Sequence, residues 1–138
     1  MVYMSGRMDG VSIAEGNTWR KKATSPLIEA GFLIYNPYDG KSDNKDDHLL
    51  HTPNEIHHRD VYYLNKSSIV LVNLEMPEVI NSKDAPFFTI GEMYLAHAAQ
   101  KIIISYNNPF VGRHGYEAII TKTLKDLDEA VEYIITNY

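Results

Sequence analysis

The run Ile69-Val-Leu-Val72 is apolar at every position and mostly β-branched. A segment with no polar alternation suits a strand covered on both faces, which is the condition of a parallel sheet with helices on either side. No other segment of this chain restricts its fold as much. Similar short runs recur. Met1 to Met4 is apolar and ends at Ser5-Gly6, Phe32-Leu-Ile-Tyr35 is stopped by Asn36-Pro37, and Ile102 to Ser105 is followed by an Asn107-Asn-Pro109 turn.

Between these runs the spacing turns helical. Ile13, Trp19, Ala23, Leu27, Ile28 and Gly31 mark a helix from Ile13 to Ala30. Pro26 lies inside it, lacks a backbone donor and crowds the preceding turn, so it is expected to kink this helix or split it in two. Pro53 can open a second helix, striped by Ile56, Val61 and Leu64 and ending near residues 65–68. A third starts around Glu92 and runs to about Gln100. The tail predicts a helix over 115–120, an extended piece near 121–124, and a last helix from Asp126, its N-cap, to about Thr136, with Ala130, Val131, Ile134 and Ile135 buried. Alternation of this kind predicts one α/β domain over 1–138, a doubly wound parallel sheet joined by right-handed crossovers.

Composition narrows the function classes. A chain of 138 residues that is 44% hydrophobic can fill a single core. Its 13 basic and 18 acidic residues leave a net charge of −5, and its longest basic run is Arg20-Lys-Lys22, which disfavours a nucleic-acid polymer as partner. Cysteine is absent. That removes disulfides, thiolate metal sites and cysteine nucleophiles together, and with a reducing compartment implied, cytoplasm is the expected location. The start Met-Val-Tyr-Met-Ser-Gly-Arg is too short and polar for a signal peptide, and no apolar stretch approaches the roughly 18 residues of a membrane span, so no membrane partner is expected.

Ligands of such sheets bind beyond the C-terminal strand ends. That rule selects Tyr3 to Gly10, Asn36 to Gly40, Asn73 to Glu75, Glu92 at the following helix start, and Tyr106 to Asn108. In Ser5-Gly-Arg-Met-Asp-Gly10 the backbone N–H groups and Arg7 could hold an anion, although the glycine spacing matches neither a dinucleotide fingerprint nor a P-loop and an ordinary turn explains it equally well. Glu92 stands among Phe87, Phe88, Ile90, Met93, Tyr94 and Leu95. It is either a working carboxylate in low-dielectric surroundings, or a first-turn charge that the helix dipole stabilises by about 0.3–1 kcal/mol. Asp60, beside the apolar Val61 and Leu64, is either near the ligand end or an exposed helix charge. The adjacent His57 and His58 point to different faces and read as solvated, so neither metal nor cofactor is expected. The polar stretches 38–51 and 75–86 read as long loops of the kind that often carry function.

Three of these stretches, on this element order, resemble the nucleoside 2-deoxyribosyltransferase family and its relatives that hydrolyse the N-glycosidic bond of deoxynucleoside 5′-monophosphates. Tyr3 in Val2-Tyr-Met-Ser-Gly6 looks like the family's first-strand tyrosine, Asp60 in Arg59-Asp-Val-Tyr-Tyr-Leu64 like its helix aspartate, and Thr89 with Glu92 like its Gly-Thr-x-x-Glu nucleophile motif. The resemblance spans nearly the whole chain. It implies a flavodoxin-like sheet of order 2-1-3-4-5 with the last strand short or absent, helices on both faces, and no cofactor. It further implies a nucleoside or nucleotide substrate, a glutamyl-deoxyribose intermediate on Glu92, and transfer of the sugar to another base or, in the hydrolases, to water. Tyr3 would orient the nucleophile and Asp60 would pass a proton to the leaving base. Ser5, Gly6, Arg7, Asp84 and Thr89 would bind substrate. A homo-oligomer is implied too, its shared active site completed by an asparagine of a neighbouring subunit, Asn107 or Asn108. The chain departs from the transferases at Pro86, six positions before Glu92, where they carry an acid, and at Phe88, where they carry a small residue. The Ser5-Gly6-Arg7 segment looks more like the phosphate-holding loop of the hydrolases.

Overall fold

The computed structural model describes residues 1–8, 11–39, 52–75 and 87–138. Along the chain run β1 (Val2–Gly6), α1 (Ile13–Glu29), β2 (Ile34–Tyr35), α2 (Pro53–Lys66) and β3 (Ile69–Asn73). There follow α3 (Phe87–Ala98), β4 (Ile102–Tyr106), α4 (His114–Glu117), β5 (Lys122–Thr123) and α5 (Leu127–Asn137). The strands form one sheet in the order β2-β1-β3-β4-β5, every pair parallel, which is the flavodoxin-like arrangement expected, with β5 present but short.

Alternation along the strands divides the core in two. Val2 and Met4 of β1, Ile69 and Leu71 of β3 and Ile104 of β4 pack against Ala23 and Leu27 of α1 and Ala130, Val131 and Ile134 of α5. Tyr3, Val70, Val72 and Ile103 turn the other way, onto Leu64 of α2 and Met93 and Ala96 of α3. Period-two strands thus place α1 and α5 on one face and α2 and α3 on the other. Three helix starts are closed by side chains: Ser12 with Glu15 and Thr52 with Glu55 form capping boxes, and Asp126 accepts from the Glu129 N–H at 3.0 Å. These bonds satisfy donors that the first turn leaves unpaired.

Several boundaries differ from the expectation, and the differences bear on the site. β1, β3 and β4 each run further than their apolar cores, so that Ser5 pairs with Val72, Gly6 with Asn73 and Asn73 with Tyr106. Ser5 and Gly6 are therefore strand residues and the turn begins after them, because a central strand satisfies its backbone groups in the ladder whatever its side chains. β2 contracts to Ile34–Tyr35; it is an edge strand, and Leu33 before it is 69% exposed. Pro26 does not split α1, which is one helix to Glu29. The proline falls in the last turns, where the Ala30 N–H still reaches its carbonyl at 3.1 Å. α4 covers His114–Glu117 rather than 115–120, and Ile135, expected in the core, is 40% exposed. Among the described residues no helix is long and apolar enough to cross a membrane.

Candidate active site

Glu92 is not a first-turn residue. α3 already includes Phe87, and its first turn holds no acidic side chain, so Glu92 sits one turn further in. This corrects the expected helix start and removes the dipole as the reason for a carboxylate at this position, since that effect fades beyond the first turn.

What meets Glu92 follows from the pleat of β1. Tyr3 and Ser5 are two residues apart and so share the face on which α3 packs. The Tyr3 hydroxyl donates to Glu92 Oε1 at 2.6 Å and the Ser5 hydroxyl to Oε2 at 2.5 Å. Tyr3 is fully buried and Ser5 is 1% exposed, so both donors are fixed by the sheet. Burial pushes the Glu92 carboxyl above the ordinary carboxylate range. The bonds from Ser5 and Tyr3 oppose that shift, the charge of Asp60 adds to it, and the charge of Arg20 opposes it. Burial also raises the Tyr3 phenol, and the negative charge on Glu92 raises it further, so Tyr3 remains a protonated donor. Thr89, one turn before Glu92, is 3% exposed and lines the same cavity.

Asp60 reaches the cavity from α2, which packs beside α3. Its Oδ1 accepts from the Tyr35 hydroxyl at 2.7 Å and from Arg59 Nε and Nη2 at 3.3 and 3.2 Å. Burial, then the bond to Asp60, raises the Tyr35 phenol above its usual value. Tyr35 also stacks between Tyr3, at 5.3 Å between ring centroids, and Tyr63, at 4.0 Å. One column of aromatic rings thus carries a hydroxyl to each of the two carboxylates.

The cavity in front of these groups has a volume of about 540 Å³, within the usual range for a small-molecule site. Met4, Ile56, Val61, Leu64 and Leu95 make much of it apolar, Phe87 and Phe88 stand at its edge, and Arg7, His57, Asp60 and Glu92 bring the polar groups. His57 is exposed but lines the cavity, in part a departure from its reading as simply solvated. Gly6 and Arg7 line it as well. Asn107 and Asn108 do not; they stand around a separate concavity past β4, with Asn107 Nδ2 donating to Asn73 Oδ1 at 3.4 Å and Asn108 Oδ1 accepting from the Phe110 N–H at 2.9 Å. Asp84 and Pro86 lie outside the described residues. Among the described residues no group of three or more metal-ligating side chains converges.

Tyr35, Tyr38 and Arg20 are parts of this site that sequence reasoning did not single out. Tyr35 and Tyr38 had a signal, since both fall at or within the strand-end segment around Asn36 to Gly40. Arg20 had none: in the Arg20-Lys-Lys22 run it reads as helix surface, yet its side chain is fully buried beneath the cavity. It donates to the Gly16 carbonyl and, at 2.9 Å, to the Gly6 carbonyl. Its guanidinium lies over the Trp19 ring at 4.5 Å and the Tyr38 ring at 4.8 Å. Burial lowers its pKa to about 10, which still leaves it charged near neutrality.

A parallel sheet of this order defines a flavodoxin-like α/β protein, and the cavity that Asp60 and Glu92 both line is its candidate site. No protein-family model matches the chain, and no curated protein matches it in sequence. Solved structures do share its fold. A 2-deoxyribosyltransferase from the psychrotolerant bacterium Bacillus psychrosaccharolyticus superposes with a TM-score of 0.64 at 11% identity, over 99% of this chain and 90% of that one. The CMP N-glycosidase BcmB of Clostridium botulinum superposes with a TM-score of 0.59 at 12% identity, over 99% and 98%. The chain is similar to both along nearly its whole length, and what is shared at this identity is the fold.

Proposed function

We propose that this chain is an N-glycosidic-bond-cleaving enzyme of the nucleoside 2-deoxyribosyltransferase kind, working through an ester on Glu92. The observation that carries this reading is the Glu92 carboxylate, gripped by Tyr3 and Ser5 at the floor of an apolar cavity that Asp60 also enters. In the first half-reaction a Glu92 oxygen bonds to C1′ of the sugar as the bond from C1′ to the base nitrogen breaks; the electron pair leaves with the base, and the proton that Asp60 must carry in the substrate complex neutralises it. In the second half a nitrogen of an incoming base attacks C1′, its proton returns to Asp60, and Glu92 departs as carboxylate. Splitting the displacement in two is the strategy of retaining glycosidases. Tyr3 and Ser5 hold the oxygens in place, and apolar walls such as Ile56 and Leu95 suit a flat base. The fold shared with a 2-deoxyribosyltransferase and a CMP N-glycosidase supports the same reading.

The decisive experiment incubates a deoxynucleoside with a second free base. A new nucleoside is expected, and intact-protein mass after acid quenching should show one deoxyribosyl group on Glu92. Release of free base with no new nucleoside would overturn transfer, and no release at all would overturn the reading as a whole.

One observation favours a second reading, hydrolysis of a 5′-monophosphate: Arg7 lines the cavity just past Gly6, at the end of β1. A guanidinium there suits a phosphate better than a free hydroxyl. On this reading Arg7→Ala raises KM for the monophosphate about tenfold or more, the effect of losing a charged hydrogen bond, and leaves KM for the nucleoside unchanged. Equal effects on both substrates would count against it.

Asn107 and Asn108, outside the cavity of their own chain, are assigned by this proposal to the site of a second copy. Mixing the inactive Glu92→Gln protein with an inactive Asn107→Ala/Asn108→Ala protein is then expected to restore part of the activity, because a mixed pair holds one intact site. Mixtures as inactive as their parents would exclude a shared site.

A further inference from the structure

Among the described residues, the buried cation Arg20 has no ion-pair partner. Its side chain is fully buried, and its Nε has no hydrogen-bond partner. Burying an unpaired charge is costly, and the surroundings are built around it. Arg20 ties the Gly6 carbonyl, at the end of β1, to the Gly16 carbonyl in α1, and it lies over the faces of both Trp19 and Tyr38. Both carbonyls belong to glycines at which a side chain would force its neighbours to shift. A Cβ on Gly6 would stand 2.9 Å from Trp19 Cζ2 and 3.3 Å from Arg20 Nη2, and one on Gly16 would stand 2.5 Å from the Tyr38 hydroxyl. The strand residue next to Gly6 is Ser5, whose hydroxyl holds Glu92 Oε2.

We infer that Arg20 is a positioning residue for the Glu92 carboxylate: it clamps the end of β1 from which Ser5 reaches Glu92, and it sets a fixed positive charge at the wall of the cavity that Glu92 also lines. The inference rests on the proposed reading of Glu92 as the attacking group. It accounts for a cation that the sequence presents as surface charge, and for its lack of an ion pair among the described residues. A carboxylate in direct contact with a guanidinium would be a poor nucleophile, whereas a positive charge held back by two carbonyls and two rings stabilises the anion while leaving its oxygens free to react. Burial dominates and raises the Glu92 carboxyl; the charge of Arg20 works against that rise as the smallest of the named influences.

Two substitutions separate the clamp from the charge. Arg20→Met removes both while filling the space with apolar atoms, a change that buried ion sites often tolerate. Arg20→Lys keeps the charge and loses the fork that joins the two carbonyls. Arg20→Met is expected to lower kcat at least about tenfold and to move the acid limb of the pH–rate profile upward. Arg20→Lys is expected to lower kcat but to leave the acid limb in place. Should Arg20→Met not fold, Arg20→Gln, whose amide can still donate to Gly6 or Gly16, provides the same comparison. Carbon NMR titration of the Glu92 carboxyl in ligand-free protein, assigned by its loss in Glu92→Gln, reads the charge effect without any turnover. That measurement stands even if no nucleoside is a substrate, so failure of the proposed function and failure of this inference are distinguishable. An unmoved Glu92 titration in folded Arg20→Met or Arg20→Gln protein would overturn the inference, as would equal displacement in the lysine and methionine variants.

Discussion

Glu92→Gln is expected to lower turnover on the order of 10⁴-fold or more, and at the same time to raise the melting temperature at neutral pH. The first effect follows from removing the attacking oxygen from a two-step displacement. The second follows from the setting: burial disfavours the charged form of Glu92, so the folded protein carries a cost that a neutral amide does not. Glutamine keeps one oxygen to accept from Tyr3 or Ser5, and the other hydroxyl can turn to accept from the amide. At this chain length each kcal/mol recovered corresponds to roughly 3–5 °C. Trading stability for a reactive group is common at working sites. The pH dependence has a definite sign. The folded-state pKa of Glu92 is raised, so protonated Glu92 is favoured by folding; its stabilising contribution is present at low pH and lost as pH rises through the folded-state value. The stability gap between variant and wild type should therefore be small in acid and open toward neutral pH. Wild-type activity should do the reverse, climbing with pH as the carboxylate ionises, through a midpoint above the ordinary glutamate range. Calorimetry across pH and single-turnover kinetics check both arms. Activity within tenfold of wild type, or a melting difference that ignores pH, would contradict this account of Glu92.

Asp60→Asn is expected to lower the rate by roughly 10²–10⁴-fold, the usual range for loss of a positioned general acid, with little change in melting temperature. Stability should hold because the asparagine oxygen can still accept from Tyr35 and Arg59, as Asp60 Oδ1 does. The diagnostic feature is the dependence on leaving group. Bases that depart readily as anions need no proton and should lose little, whereas poor leaving groups should lose most. A uniform loss over a series of bases would assign Asp60 to binding rather than proton transfer. A rate close to wild type would remove it from the chemistry altogether.

Much of this molecule was legible along the chain, and for identifiable reasons. Ile69 to Val72 reads as a doubly covered strand because apolar periodicity is a local property, and it is buried throughout in β3. Pro53 and Asp126 mark helix starts because capping is settled within one turn. Tyr3, Ser5 and Glu92 stood out by their places at strand ends or in an apolar helix, whereas Thr89 and the role of Asp60 rested on the family resemblance. The boundaries were less legible. Ser5 and Gly6 lie inside β1 because β3 pairs with them, and no local preference announces that. Glu92 looked like a possible first-turn charge until the observed start of α3 placed it deeper.

Sequence alone determined the alternation of strand and helix, the parallel character of the sheet, and the residue types available for chemistry, since each depends on neighbours within a few positions. Only tertiary structure decided which of those residues meet. Tyr3 and Ser5 come from one strand, Tyr35 from the edge strand, Arg20 from a helix on the opposite face, and Glu92 from a helix beyond β3; their convergence depends on sheet order and packing. Burial follows the same logic. Arg20 reads as a surface cation because the chain carries no local record of what will cover it, and it becomes a buried cation lining the same cavity as Glu92 only when Trp19, Tyr38 and the end of β1 close around it.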